Sequence, residues 1–354
     1  MTRAEPPENS TTSFEAIRAC TSPPPGIEIG RSREGRPIEG YRLNSKSGAA
    51  KVSLIAGCHA DEPVGPRWLT KLVAFLHDLP PSHPFARIEW WIVPHVNPDG
   101  AERNRAWQEP GAEVYPLTDY LRHVVRERPG DDIEFDFPAP NVSDDEARPE
   151  NRALSEWWDS CVNPFRMHAT LHGMAWAGGA WFLVEPEWRE RAEPLYRRLR
   201  ARVEALGYSL HDVERHGEKG FHRIAPGFCT RPASAAMREH FLALDDPESA
   251  ALFRPNSMER IRAHGGDPFT CVSELPLFLL PGVGETLGPP DPRAEEWRDR
   301  LEGWRLDLAT GRPASEVERE ARDAGLRAMP VVDQWRLQWE LIVAALELVG
   351  ALEG

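Results

Sequence analysis

The chain of 354 residues has few cysteines, and those it has do not suggest pairing. Cys20, Cys58, Cys161, Cys229 and Cys271 are five in number and form no CxxC pair. An odd count without close spacing argues against a disulfide framework and fits a reducing compartment. Basic residues are also under-represented, with 42 Lys and Arg against 56 Asp and Glu and a net charge of −14. That balance argues against a general nucleic-acid binder, which needs a basic face. No apolar run is long enough to span a bilayer. The Pro-rich opening Met1–Pro25 has no apolar segment of the secretory type, and no internal repeat is visible. Together these absences lead to an expectation of a cytoplasmic protein without nucleic-acid or membrane partners.

What is present is ordinary globular composition, 41% hydrophobic and 28% charged. Residues 1–25 read as a flexible N-terminal tail with at most one short helix near Phe14 to Cys20. Residues 26–354 read as one domain, because no linker divides them. The stretch from Gly26 to Asn44 predicts two short strands about a turn at Glu34-Gly35. Lys51 to Gly57 and Ile88 to Val93 are apolar enough for buried strands, and between them Trp68, Leu69, Leu72, Val73 and Leu76 recur at helical spacing. Strand, helix and strand in this order suggest an α/β sheet. Residues 101–150 are rich in charge and Pro and too long for an idle connection. Further strands are expected at Phe165–Leu171, Ala180–Val184 and Phe269–Leu275, with amphipathic helices at Trp188–Leu206 and Val331–Leu352.

Four short segments carry chemistry. His59 and Glu62, in Gly57-Cys58-His59-Ala60-Asp61-Glu62-Pro63, follow the first buried strand and could supply a nitrogen and an oxygen to a metal. Asn97-Pro98-Asp99-Gly100 is strong turn chemistry after the next strand. Met167 to Met174 is a strand carrying His168 and His172, both of them candidate ligands four residues apart on one side. Glu274 lies in the apolar strand Cys271-Val272-Ser273-Glu274-Leu275, where an unpaired carboxylate is costly unless it has a function.

In this order the four segments resemble the zinc carboxypeptidases, the funnelin family of metallopeptidases. The resemblance covers roughly residues 26 to 285. It implies a three-layer α/β/α single domain with a mixed, mostly parallel twisted sheet. It also implies one zinc ion per chain on His59, Glu62 and His172, with Glu274 as general base. Arg103 or Arg105 would stabilise the oxyanion, the choice between them being open. The implied function is a zinc-dependent hydrolase cleaving a peptide or peptide-like amide.

The departures from the family pattern bear on substrate. Many members carry Asp-x-Asn-Arg after the Asn-Pro-Asp-Gly turn, and the counterpart here is Asp132-Ile133-Glu134-Phe135-Asp136-Phe137-Pro138. An acidic partner for His59 is retained in Glu134 or Asp132, while the carboxylate-binding Arg is missing. Asn104, Asp136 and Arg152 are candidate substrate contacts, and Arg148, Arg223 and Arg231 are further candidates for gripping an anionic end. The missing pair keeps open an amidase or deacylase acting on a small amide, and a catalytically silent relative that only binds metal or peptide. The oligomeric state is not legible.

Overall fold

The computed structural model describes residues 8–45, 48–128, 132–140, 145–285, 287 and 291–352. Among the described residues, the ten strands are β1 Ile27–Arg31, β2 Pro37–Leu43, β3 Lys51–Ala56, β4 Glu89–Val93, β5 Met167–Ala177, β6 Trp181–Val184, β7 Arg223–Ala225, β8 Phe228–Thr230, β9 Phe269–Leu279 and β10 Arg327–Ala328. They form one sheet in the order β1-β2-β4-β3-β5-β9-β6-β8-β7, with β10 pairing the end of β9. The middle of the sheet, β4-β3-β5-β9, is parallel throughout. Antiparallel pairs lie to either side, at β1-β2-β4 and at β9-β6 and β8-β7. The sheet is therefore mixed with a parallel centre, as expected.

Alternation along the strands builds three layers. Val52, Leu54 and Ala56 of β3, and Met167, Ala169 and Leu171 of β5, belong to one apolar core. That core also takes Trp68, Leu69, Leu72 and Leu76 from the helix Val64–His77 and Leu337, Leu341 and Ala345 from the helix Val331–Leu348. Ile55 faces the other way and joins a second core with Trp91, Val93 and Trp158 of the helix Pro149–Asp159. Because side chains alternate with period two, His168, Thr170 and His172 fall on this second face. Val272 and Glu274 of β9 and Trp181 and Leu183 of β6 do the same.

The N-terminal segment departs from the expected loose tail. Residues Glu8–Ala19 form a helix. Phe14 and Ile17 are fully buried, and the Phe14 ring stacks on Trp68 at 5.4 Å. An apolar pair three apart on one helix face packs on the 64–77 helix, and burial outweighs the Pro-rich flanks. Among the described residues of the reach 101–150, a helix lies at Leu117–His123, while the helices Pro98–Arg103 and Pro149–Asp159 overlap its two ends. No helix among the described residues is long and apolar enough to cross a membrane.

Candidate metal centre

The chain leaves β3 through Gly57, whose φ of +71° suits a residue without a side chain. A Cβ there would sit 2.9 Å from His95 Nδ1 and from Pro66. The segment Asn97–Gly100, expected as a turn, is the capped start of a short helix Pro98–Arg103, and it braces the loop after β3. Asn97 Oδ1 accepts from Gly100 N at 2.9 Å, and its Nδ2 donates to the Cys58 carbonyl at 3.3 Å. Gly100 packs so close to Ala60 that a Cβ would lie 2.7 Å from its side chain. The second motif thus fixes the backbone that presents His59 and Glu62.

These two side chains meet His172 from β5. His59 Nδ1 is 2.6 Å from Glu62 Oε1 and 3.2 Å from His172 Nδ1. Glu62 Oε2 is 3.1 Å from His172 Nδ1. One ligand atom from each of the three lies within 4.8 Å of the others. On the far side of the first imidazole, His59 Nε2 faces Glu134 Oε2 at 3.1 Å and Asp132 Oδ2 at 3.9 Å. A Glu134 carboxylate accepting the Nε2 proton leaves the Nδ1 lone pair directed at Glu62 and His172, which is the tautomer a metal needs.

The electrostatics ask for a cation. Burial opposes a charged His59, but Glu62 and Glu134 outweigh it and hold its proton affinity well above the ordinary range. His172 is raised in the same way, mainly by Glu62 against burial. Glu62 is lowered despite burial because both imidazoles favour its charge. Two Nδ1 atoms 3.2 Å apart cannot both keep bare lone pairs without a positive centre between or on them. Among the described residues, the buried His172 Nε2 also lacks a hydrogen-bond partner. Two imidazole nitrogens and one carboxylate form the donor set of an open catalytic zinc site. The residues present therefore fit a zinc ion.

Glu274 is the register partner of His172 on β9. Half-buried, its carboxyl is pushed up to about 8, first by burial and then by Glu62 and Glu134 against the two histidines. His168, the competing histidine, is placed elsewhere in function. It is fully buried, with Nδ1 3.0 Å from Ser53 Oγ and Nε2 3.2 Å from Ser257 Oγ, so both nitrogens are occupied by the core.

Several of the expected contact residues are engaged by other partners. Asn104 is fully buried, donating to the Gly100 and Val125 carbonyls and accepting from Val125 N and Trp107 Nε1. All its polar capacity holds the loop together, so none remains for substrate. Asp136 accepts from Arg148 N at 2.7 Å and pairs with Arg254 at 2.8 Å. Arg152 pairs with Asp145 at 3.1 Å. Arg105 is mostly exposed, pairs with Glu102, and lines a separate surface cavity of about 470 Å³ beside His95. Arg103 pairs with Glu34 at 2.5 Å and reaches Glu127 at 3.8 Å. Spacing in the chain placed these residues near the turn but could not reveal such partners. Sequence reasoning missed Glu127, which accepts from Asn97 Nδ2 at 2.7 Å and adds to the negative field at His59 and Asp132. It also missed Arg126, held at 2.8 Å by Asp61, the residue before Glu62.

Fold and site together define an α/β protein with a zinc-hydrolase type of donor set. A family model described as zinc carboxypeptidase matches residues 26–181, so the likeness to that family covers less than half of the chain. Zinc carboxypeptidase A 1 of Anopheles gambiae is 29% identical over 90 residues, which is 23% of this chain and only 21% of that protein. A candidate metallopeptidase from Shewanella amazonensis SB2B shares the fold at 14% identity, with a TM-score of 0.50 over 96% of this chain and 90% of its own. A metallo-carboxypeptidase from Pseudomonas aeruginosa gives 15% identity and a TM-score of 0.46 over 99% of this chain and 70% of its own.

Proposed function

We propose that this chain is a zinc-dependent hydrolase that cleaves a peptide or peptide-like amide. The observation that carries this is the convergence of His59 Nδ1, Glu62 and His172 Nδ1 beside Glu274. His59, Glu62 and His172 would hold the ion, and Glu134 would fix the His59 ring through Nε2. Zinc at such a site supplies Lewis acidity, lowering the pKa of water to about 7 and polarising a carbonyl. Glu274 takes a proton from the attacking water at its carboxylate and delivers it to the departing nitrogen. Its elevated proton affinity suits the second half of that task, and a neighbouring dication suits the first by favouring the carboxylate.

Zinc content and hydrolysis of a peptide library test the proposal together. One zinc per chain is expected, lost in His59→Ala along with hydrolysis. Metal-replete protein that holds no zinc would overturn it.

One observation favours the amidase variant of this reading. Phe135, at the counterpart of the family's carboxylate-binding Arg, is 3% exposed and packs edge-on against Phe253 at 4.9 Å, with Met237 alongside. The position cannot grip a terminal carboxylate, so the substrate is anchored by other groups.

A further inference from the structure

The cationic side chains first considered for an anionic substrate end are all committed to carboxylates. Arg148 lies 3.5 Å from Glu150 and 3.6 Å from Glu127, and Arg152 lies 3.1 Å from Asp145. Arg223 lies 2.8 Å from Asp212, and Arg231 lies 3.1 Å from Glu185. Arg215 differs. Half-buried, it has no carboxylate within ion-pair distance among the described residues, and its contacts are aromatic. Its guanidinium lies 4.9 Å from the Phe221 ring centre and 5.9 Å from that of Trp181.

The sheet register connects Arg215 to the reacting centre. His172 on β5, Glu274 on β9 and Trp181 on β6 are successive register partners across three adjacent strands. Directly opposed residues share a sheet face with Cβ atoms about 4.5–5.5 Å apart. The three side chains therefore form a row: ligand, base, aromatic wall. The wall continues outward, because Phe221 stacks on Trp181 at 5.4 Å and 29°. Met174, two residues beyond His172, packs against the same cluster. Arg215 caps this row on the side of Glu274 away from the zinc ligands.

Charge sets the direction in which a substrate would lie. Glu127, Asp132 and Glu134 gather on the His59 flank and repel an anion there. The β6 flank offers a guanidinium already stacked on rings, and a stacked Arg keeps its hydrogen-bond donors free for a carboxylate. We infer that Arg215, with Trp181 and Phe221, forms the substrate-anchoring subsite, taking an amide substrate whose flank carries a carboxylate next to an apolar group. This rests on the His59–Glu62–His172 cluster and Glu274 being the reacting centre. It places the anion grip on a different element from the missing family arginine.

The test uses zinc-replete Glu274→Gln protein, so that bound peptide is not consumed. Calorimetry compares N-acetylated dipeptides bearing a free carboxylate with the same peptides as C-terminal amides. Tighter binding of the acids is expected, weakened about 10- to 100-fold by Arg215→Ala, with the amides unaffected and Arg215→Lys restoring only part. Acid and amide affinities that are equal, absent throughout the set, or unchanged by Arg215→Ala overturn the assignment. Discrimination through Arg215 in a protein with no hydrolytic activity would retain the subsite and reject the hydrolase. Hydrolysis without discrimination would do the reverse.

Discussion

His172 and Glu274 stand side by side, as register partners on adjacent parallel strands β5 and β9. Ladder pairing at the buried centre of a sheet fixes this relationship more tightly than a loop could. Glu274→Gln keeps the shape and removes the proton acceptor. Amide hydrolysis is expected to fall about 10²- to 10⁴-fold with zinc stoichiometry unchanged. The check is kcat measured beside metal analysis on the same preparation, and an unchanged kcat would remove Glu274 from the role of base.

Glu134 is expected to tune the metal without touching it. Its contact with His59 Nε2 at 3.1 Å is shorter than that of Asp132 at 3.9 Å. Glu134→Gln should weaken zinc binding about 10- to 100-fold, and Asp132→Asn should cost less. Competition against a chromogenic chelator measures both. Equal effects would mean that the ring is held by the pair rather than by one carboxylate.

His168 predicts an acid limit to stability. Burial, assisted by Arg231 and His172, pushes its proton affinity down to about 3, whereas an unfolded histidine titrates near 6.5. Below about pH 6.5 the unfolded chain binds this proton and the folded chain does not, so stability falls as pH falls, until the folded group titrates as well. The slope from this residue is about 1.4 kcal/mol per pH unit in that window. Urea unfolding of wild type and His168→Gln between pH 4.5 and 7 should show a shallower dependence in the variant. Parallel lines would remove the residue from the account.

Phe14 predicts that the first helix is part of the folded unit. The ring is 1% exposed and stacks on Trp68. Phe14→Ala should destabilise the protein by about 3 kcal/mol, as for a large-to-small change in a packed core. A loss below about 0.5 kcal/mol in denaturant unfolding would restore the loose tail.

The parts of this architecture legible in the sequence are those with strong local patterns. The apolar runs at β3 and β4 and the helical spacing around Trp68 each state their structure within a dozen residues, whereas Asn97–Gly100, read as a turn, opens a short helix. The convergence of His59, Glu62 and His172 was reached only through resemblance, since 113 residues separate the two histidines. Substrate contacts were least legible. The salt-bridge partner of Arg103 is Glu34, 69 positions earlier, and the carbonyl that occupies Asn104 belongs to Val125. The 234–252 helices lack a clear apolar stripe, because they pack on a few aromatics such as Phe135 and Phe253 rather than on the main core.

The burial of Phe135 also limits what its position can hold. A Phe135→Arg substitution would drive a guanidinium into a small apolar cluster with Met237 and Phe253. The 234–252 helices would have to repack before a cation there could reach a substrate.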